Sequence, residues 1–338
     1  MSTKHPAPKK DPAPAKSDKP LRFAMLGMVA GNGHPYSWSA IINSYDKAAM
    51  AVGPYAGIAR YLGGEPFESV RVPGAQVTHI WTDDPKDAVL VAKASLIPHV
   101  VKKPEDVIGH VDAVFVATDD GFEHVRRARP FIEAGLPVFV DKPMALTLPD
   151  LQTFVSWKKA GARILSSSAM RYAMELEPLM KDRSALGELR WISVQMAKAW
   201  DNYGIHAFEP VFCLLGPGFV SVRLESQPKF DIAHIIHRSG VQINIPVMYD
   251  GGATWGTMHL AGTAGQTEVR LSGTDHTYYT SFRRQIVSFV EFVRNGGVDP
   301  YPFSETVEMM AVLIAGLRSR AEGGRRVDVA EILSRIHS

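Results

Sequence analysis

The sequence predicts an α/β protein: a doubly wound parallel sheet first, then an α+β unit with a large, mostly antiparallel open sheet. Three observations lead there. The chain has 338 residues, about twice an ordinary domain, so two domains are expected. Over the first half, short apolar runs alternate repeatedly with helix-compatible stretches, the pattern of a parallel sheet covered on both faces. After about residue 166, strand-like segments follow one another with turns between them, which implies antiparallel pairing. A hydrophobic share of 46 % and a charged share of 21 % supply a full core and exclude disordered, collagenous and disulfide-stapled classes.

The elements follow in order. LRFAML (Leu21 to Leu26) is an apolar run that breaks at Gly27 into GMVAGNGHPYSWSAIIN, a strand, a glycine loop and a helix. A Gly- and Pro-rich passage, Gly53 to Gly74, reads as an inserted loop. VTHIWT alternates as a strand and ends at Asp83 and Asp84; KDAVLVAKASL then reads as a helix and VDAVFVAT (Val111 to Thr118) as a buried strand. FEHVRRARPFIEAG is a helix with Gly135 at its C-terminal stop. The strand LPVFVDKP leads to a helix whose start carries Thr147 and Asp150 at capping spacing, with Pro149 in the first turn.

Beyond this come a helical stretch, AMELEPLMKD, and six strand-like segments from LRWISVQMAKA to QTEVRLSG. Two helices close the chain. Phe282, Ile286, Phe289, Val290 and Val293 keep to one face of the first, and Met310, Leu313, Ile314 and Leu317 to one face of the second. The expected division is a disordered tail at 1–20, a parallel-sheet α/β domain at 21–165 and an α+β domain at 166–338.

Charge placement narrows the partners. The net charge is +2, but residues 1 to 20 hold five Lys and two acidic residues, so the remainder is close to neutral. That tail has no apolar run and cannot offset its ordering entropy. It also lacks the apolar stretch of a signal peptide, and no segment reaches the ~18 apolar residues of a membrane helix. A cytoplasmic protein with neither nucleic-acid nor membrane partners is expected. Cys213 is the only cysteine and sits in the apolar VFCLLG, so it is expected to pack.

In doubly wound sheets ligands sit at the carboxyl ends of the strands. That edge gathers Gly27 to His34, Asp83, Thr118 to Asp120 and Asp141 to Pro143. Glycines before a helix offer N–H groups and a partial positive charge to a pyrophosphate. The spacing Gly27, Gly31, Gly33 departs from G-x-G-x-x-G, and Asp83 lies more than 50 residues beyond Gly27 where about 20 is usual. An acidic residue there would bind ribose hydroxyls and disfavour a 2′-phosphate. Lys142, fixed before a proline just past a buried strand, can orient or protonate a substrate oxygen. Trp38 and Tyr36 can wall a ligand or fill the core. His234 and His237 alternate to opposite faces of a strand, so no metal site is expected.

IEAGLPVFVDKPMALTLPDLQTFV resembles the E-A-G-K-x-V-x-x-E-K-P-x-A-x-T stretch of the Gfo/Idh/MocA oxidoreductases, the glucose-fructose oxidoreductase and inositol dehydrogenase relatives. WDNYGIHAFEPVFCLLG is similar to that family's D-x-G-x-H-x-x-D-x-x-x-x-L-x-G motif, and SSSAMRYAMELEPLMKDRSALGELRWISVQ to its R-[FY] segment. The resemblance covers about residues 21 to 330. GNGHPYSWSAI and YGIHAFE are similar to a less characterised branch.

The resemblance implies a Rossmann-type first domain, NAD as cofactor with NADP possible, and a homodimer or homotetramer. Lys142 takes the place of the catalytic lysine and His206 that of the histidine acid/base. Arg171, Tyr172, Asn202 and Tyr203 would line the substrate side. Gly27, Gly31, Asn32, Gly33, His34, Trp38, Asp83, Thr118, Asp119, His124, Asp141 and Lys142 would hold the cofactor. Asn202 stands where many members have Asp, Glu209 replaces the later Asp, and Asp141 replaces the Glu of E-K-P. Asn cannot take a hydroxyl proton near neutrality, so proton transfer falls to His206, Lys142 or both.

The implied activity is hydride transfer between nicotinamide and a carbinol carbon of a sugar, cyclitol or related polyol. The alternatives are an NAD-dependent glycoside-cleaving or epimerising enzyme without net redox, and a non-catalytic binding or regulatory protein on the same fold.

Overall fold

The computed structural model describes residues 19–251, 255–271 and 274–336. The tail expected to be disordered lies almost wholly outside them.

The first half runs β1 (Leu21–Leu26), α1 (His34–Asn43), α2 (Lys47–Ala51), α3 (Ala56–Gly63), β2 (Ala75–Trp81), α4 (Pro85–Ala94), β3 (His99–Val100), β4 (Ala113–Val116), α5 (His124–Glu133), β5 (Val138–Val140), α6 (Leu148–Lys159) and β6 (Ile164–Leu165). The six strands form one sheet in the order β3-β2-β1-β4-β5-β6, with every described pair parallel. The order reverses between β1 and β4, which opens a crevice at their carboxyl ends. Local chemistry sets the helix starts. Asp84 accepts from Lys86 N at the start of α4, Thr147 accepts from Asp150 N at the start of α6, and each helix has a proline in its first turn. Gly135, at φ 75°, ends α5 in the left-handed region.

The second half begins with α7 (Glu177–Lys181) and continues through β7 (Leu189–Ala197), α8 (Trp200–Leu215), β8 (Phe219–Gln227), β9 (Phe230–His237), β10 (Gln242–Met248), β11 (Trp255–Gly262), β12 (Gln266–Arg270), α9 (Asp275–Arg294), α10 (Phe303–Ala321), β13 (Val327–Asp328) and α11 (Ala330–Leu333). Its seven strands lie in the order β12-β11-β7-β10-β9-β8-β13. The sheet is mixed, because β7 and β10 pair in parallel while the other pairs are antiparallel.

Four local expectations differ from the structure. The Gly53 to Gly74 passage is not all loop: α3 occupies its first part and buries Ile58, Tyr61 and Leu62. AMELEPLMKD forms a 3-10 turn and the five-residue α7, because Pro178 sits at its second helical position. The middle of α10 is buried on all sides from Met309 to Gly316, since it lies between α8 and β8. Phe292 joins the buried face of α9.

Helix α9 returns from the second half to the first sheet. Its Phe289 packs against Phe23, Phe115 and Phe139 at ring separations of 5.9, 4.9 and 5.4 Å, distances at which aromatic pairs attract beyond their burial. The carboxyl-terminal region is thereby anchored on the first sheet.

Trp200, at the start of α8, is fully buried and donates to Leu313 O at 3.1 Å. Its ring fills the space over Gly204 and Gly316, and a Cβ on Gly316 would stand 2.5 Å from the indole nitrogen. Gly316→Ala is therefore expected to destabilise the protein by about 1–3 kcal/mol through overpacking, read as a lower midpoint of chemical denaturation.

Candidate active site

The crevice is built around β5 and the residues after it. Asp141 is fully buried at the strand end. Its carboxylate accepts from Lys142 N (2.7 Å), Asn32 Nδ2 (3.2 Å) and His34 Nδ1 (2.5 Å). Burial pushes this carboxyl up, but the His34 charge and hydrogen bond, joined by Lys142, hold it below the usual carboxylate range. Asn32 Oδ1 in turn accepts from His34 N. The glycine loop is thus tied to β5 through one carboxylate, and an acidic residue before the lysine serves as its anchor.

Lys142, 2 % exposed, precedes a cis-proline bond. Its Nζ donates to Asp119 Oδ2 (3.4 Å) and Asn202 O (3.2 Å) and lies 4.6 Å from the centroid of the Tyr203 ring. His206, on α8, is 3 % exposed, with Nδ1 2.7 Å from Ser168 Oγ. Burial first, and the charges of Lys142, His34 and Lys198 second, push its imidazole well below the usual 6.5. The ring is therefore neutral at pH 7 and able to accept a proton.

That shift carries a stability consequence. Unfolded histidine takes up a proton near pH 6.5, whereas the folded ring resists it. His206 favours the folded state fully above that pH, and the contribution is lost as pH falls toward the folded value. Wild-type stability is expected to decline between about pH 7.5 and 5.5 more than that of His206→Gln, measured by urea denaturation at both values.

Glu209, one turn beyond His206 and fully buried, accepts from Arg171 Nε (2.6 Å) and Ser168 N (2.5 Å). Arg171 also pairs with Glu305 at 3.0 Å and lies 3.7 Å from the Tyr301 ring centroid. Arg171 therefore fixes the floor behind His206 and lines neither of the two cavities described below. The Tyr172 hydroxyl is likewise buried away from the cavity walls. The Cys213 thiol, near the same pair, is pushed up to about 12 by burial, which leaves it inert.

Two further positions depart from expectation. Trp38 is 1 % exposed and stacks on His34 at 4.4 Å, with Phe115 and Phe139 beyond it; it belongs to the core and supports the residue that faces the crevice. His124 is fully buried, its ring nitrogens 2.7 Å from Thr118 O and 3.0 Å from Pro143 O. It bridges the two loops of the crevice and reaches no cavity. Among the described residues, no cluster of three metal-ligating side chains occurs.

Cavities lie on either side of the glycine loop. One of about 310 Å³ is lined by Gly31, Asn32, Gly33, His34, Tyr203 and His206, together with Tyr55, Ile58, Arg60 and Tyr61 from around α3, Tyr278 and Phe282 from α9, and Lys198. The other, about 150 Å³, is lined by Leu26, Gly27, Trp81, Arg126, Arg127 and Phe131, among others.

Gly27 adopts φ 86°, and a Cβ there would approach Thr118 Cγ2 to 2.7 Å, so the close passage of loop and β4 requires glycine. No side chain caps α1 at Gly33, and a Cβ on Gly31 would meet nothing within 4 Å. These features fit a dinucleotide spanning both cavities, with its pyrophosphate over the loop. Asp83, at the end of β2, holds Arg127 through both oxygens, at 2.9 and 3.1 Å, and lies 3.4 Å from Met28 N. The expected ribose contact is thus already part of an ion pair at the mouth of the smaller cavity.

The switch-point crevice has a glycine loop between two cavities, and a buried lysine and a histidine both approach the Tyr203 ring beside it. Residues 22–167 match the model of the Gfo/Idh/MocA oxidoreductase family with an NAD-binding Rossmann fold, and the amino-terminal domain belongs to it. NAD is the family's cofactor. An oxidoreductase subunit ascribed to a UDP-kanosamine synthase of Amycolatopsis mediterranei is 26 % identical over 116 residues, 34 % of this chain and 32 % of that protein.

Solved structures share the fold over more of the chain. Apo scyllo-inositol dehydrogenase from Lactobacillus casei superposes with TM-score 0.73 at 12 % identity, covering 92 % of this chain and 99 % of its own. Myo-inositol 2-dehydrogenase from Lactobacillus plantarum gives 0.71 at 16 %, covering 92 % and 99 %. GenD2 from gentamicin A biosynthesis, in complex with NAD, gives 0.71 at 17 %, covering 96 % and 99 %.

Several wall residues carry no sequence signal. Tyr55 and Tyr61 come from the passage read as an inserted loop, Phe282 from a helix read as core, and Tyr278 from the turn of α9 that precedes that stretch. Ser168 and Lys198 belong to no motif; only the nearness of Ser168 to the R-[FY] segment points toward it. No described helix is long and apolar enough to cross a membrane.

Proposed function

We propose that the protein is an NAD-dependent dehydrogenase acting on a carbinol carbon of a sugar, cyclitol or related polyol. One observation carries the reading: Lys142 and His206 both approach the Tyr203 ring, and Tyr203 and His206 line a cavity that the glycine loop also lines. NAD, when bound, supplies the hydride acceptor. Asp119 and the Asn202 carbonyl take two of the three Lys142 donors, which leaves the third to polarise the substrate oxygen. Neutral His206 receives the hydroxyl proton as the carbonyl forms, with its ring oriented through Ser168. The aromatic walls bury the faces of the substrate ring.

The test is incubation with NAD and a panel of cyclitols and aldoses, following nicotinamide absorbance. Stoichiometric NAD reduction is expected. Substrate turnover without net absorbance change assigns transient redox chemistry instead. Absence of NAD and NADP binding at millimolar concentration assigns a non-catalytic role.

Trp191 of β7 and Val220 of β8 are each about 40 % exposed on the open second sheet. By analogy with relatives this face pairs in a homodimer or homotetramer, to be read by light scattering.

A further inference from the structure

We propose that Lys198 and the Tyr203 hydroxyl form a carboxylate-binding subsite, and that the substrate is therefore an acidic sugar or polyol of about monosaccharide size. This deepens the dehydrogenase reading and rests on it.

Lys198 sits between β7 and α8 with φ 66°, one of three described non-glycine residues in the left-handed region. A lysine gains nothing locally from that conformation, and such outliers mark functional positions. Here it brings the side chain back over α8. Nζ donates to Tyr203 Oη at 2.6 Å and lies 4.1 Å from the centroid of the same ring that Lys142 approaches. Both Lys198 and Tyr203 line the larger cavity, next to His206.

Proton counting gives the direction of the site. An ammonium has three donors and no acceptor, so the Tyr203 oxygen accepts from Lys198 and its own proton must point elsewhere. Lys198 keeps two further donors. Among the described residues no carboxylate is ion-paired with it: Asp119 serves Lys142, and Asp275 at the opposite wall serves Arg60. Burial against the ring and the nearby Lys142 charge hold the Lys198 ammonium below the usual lysine range, although Asp119 opposes this. The cavity therefore offers a cation and a phenol donor without a local anion to satisfy them. A substrate carboxylate would supply both acceptors and the missing charge.

The test is calorimetry on the NAD-loaded protein, with D-glucuronate and D-galacturonate set against D-glucose and D-galactose. At least one uronate is expected to bind about tenfold or more tightly than its neutral parent. Lys198→Met should erase that preference while leaving the neutral sugars and NAD within about twofold, and Lys198→Arg should retain part of it. Lys198→Gly, which suits the positive φ, should also lose the preference, separating the charge from the backbone conformation.

Equal binding of acids and neutral parents by wild type overturns the proposal, as does a preference that survives Lys198→Met. A rise in the NAD dissociation constant with Lys198→Met also overturns it, because the charge would then serve the cofactor pyrophosphate. Failure of the dehydrogenase reading is read separately, in NAD binding and reduction by wild type.

Discussion

Lys142→Met is expected to lower kcat by about 10²- to 10⁴-fold, the range for losing a positioned polarising or proton-transferring group, with the fold retained. Methionine keeps the apolar stem and removes the ammonium. It also removes the charge that Asp119 balances at 3.4 Å; Asp119 is at the crevice edge and 8 % exposed, so water can replace part of that contact. NAD affinity should change little, because the loop is held by the Asp141 side chain and the Lys142 backbone N–H, not by Nζ. The measurements are steady-state turnover, NAD titration and a thermal melt on the same preparation. Near-normal turnover in a folded, NAD-binding variant removes Lys142 from the chemistry. His206→Ala is expected to fall in the same range, with less change in the pH profile than an ordinary histidine would give, since its imidazole is already neutral at pH 7.

Glu209→Ala is expected to have the largest effect on stability, about 3 kcal/mol. Removing one partner of a buried ion pair costs roughly 3–5 kcal/mol because the other charge is left uncompensated. The lower end applies because Arg171 retains Glu305 and the Tyr301 ring. The same change frees Ser168 N, whose hydroxyl meets His206, so turnover should fall as well. Glu209→Gln keeps the acceptor for Ser168 N and should recover more activity than stability. Urea denaturation and kcat for the two variants separate these effects. Equal stability of Glu209→Ala and wild type would show that the Glu209–Arg171 pair gives no net stabilisation.

Much of the fold was legible because it is repetitive. Alternating strand and helix periods, Thr147 at a helix start, and Gly135 at a helix end each follow from local chemistry that one stretch of chain contains. Lys142 and His206 were singled out because each sits in a motif whose residues are neighbours in sequence, and the structure brings both against the Tyr203 ring. Arg171, Tyr172, Trp38 and His124 lie in or beside recognisable motifs too, but a motif does not say which way a side chain turns. Arg171 turns toward Glu209, 38 residues away, and Trp38 turns into the aromatic core.

The sequence by itself determined the parallel sheet of the first half and the glycine loop, because those depend on hydrophobic period and short-range backbone constraints, while Lys142 and His206 were singled out by the resemblance of their motifs to the oxidoreductase family. Only the tertiary structure decided the cavity. Its walls join α3, the glycine loop, the turn before α8 and α9, from Gly31 to Phe282, which are 251 positions apart in the chain. Their meeting depends on α9 crossing back to the first sheet through Phe289. The same packing sets Asp83 against Arg127 and leaves Lys198 without an ion-paired carboxylate among the described residues. Pairing and isolation of charges are properties of distances between remote segments, and those distances exist only once the core has closed.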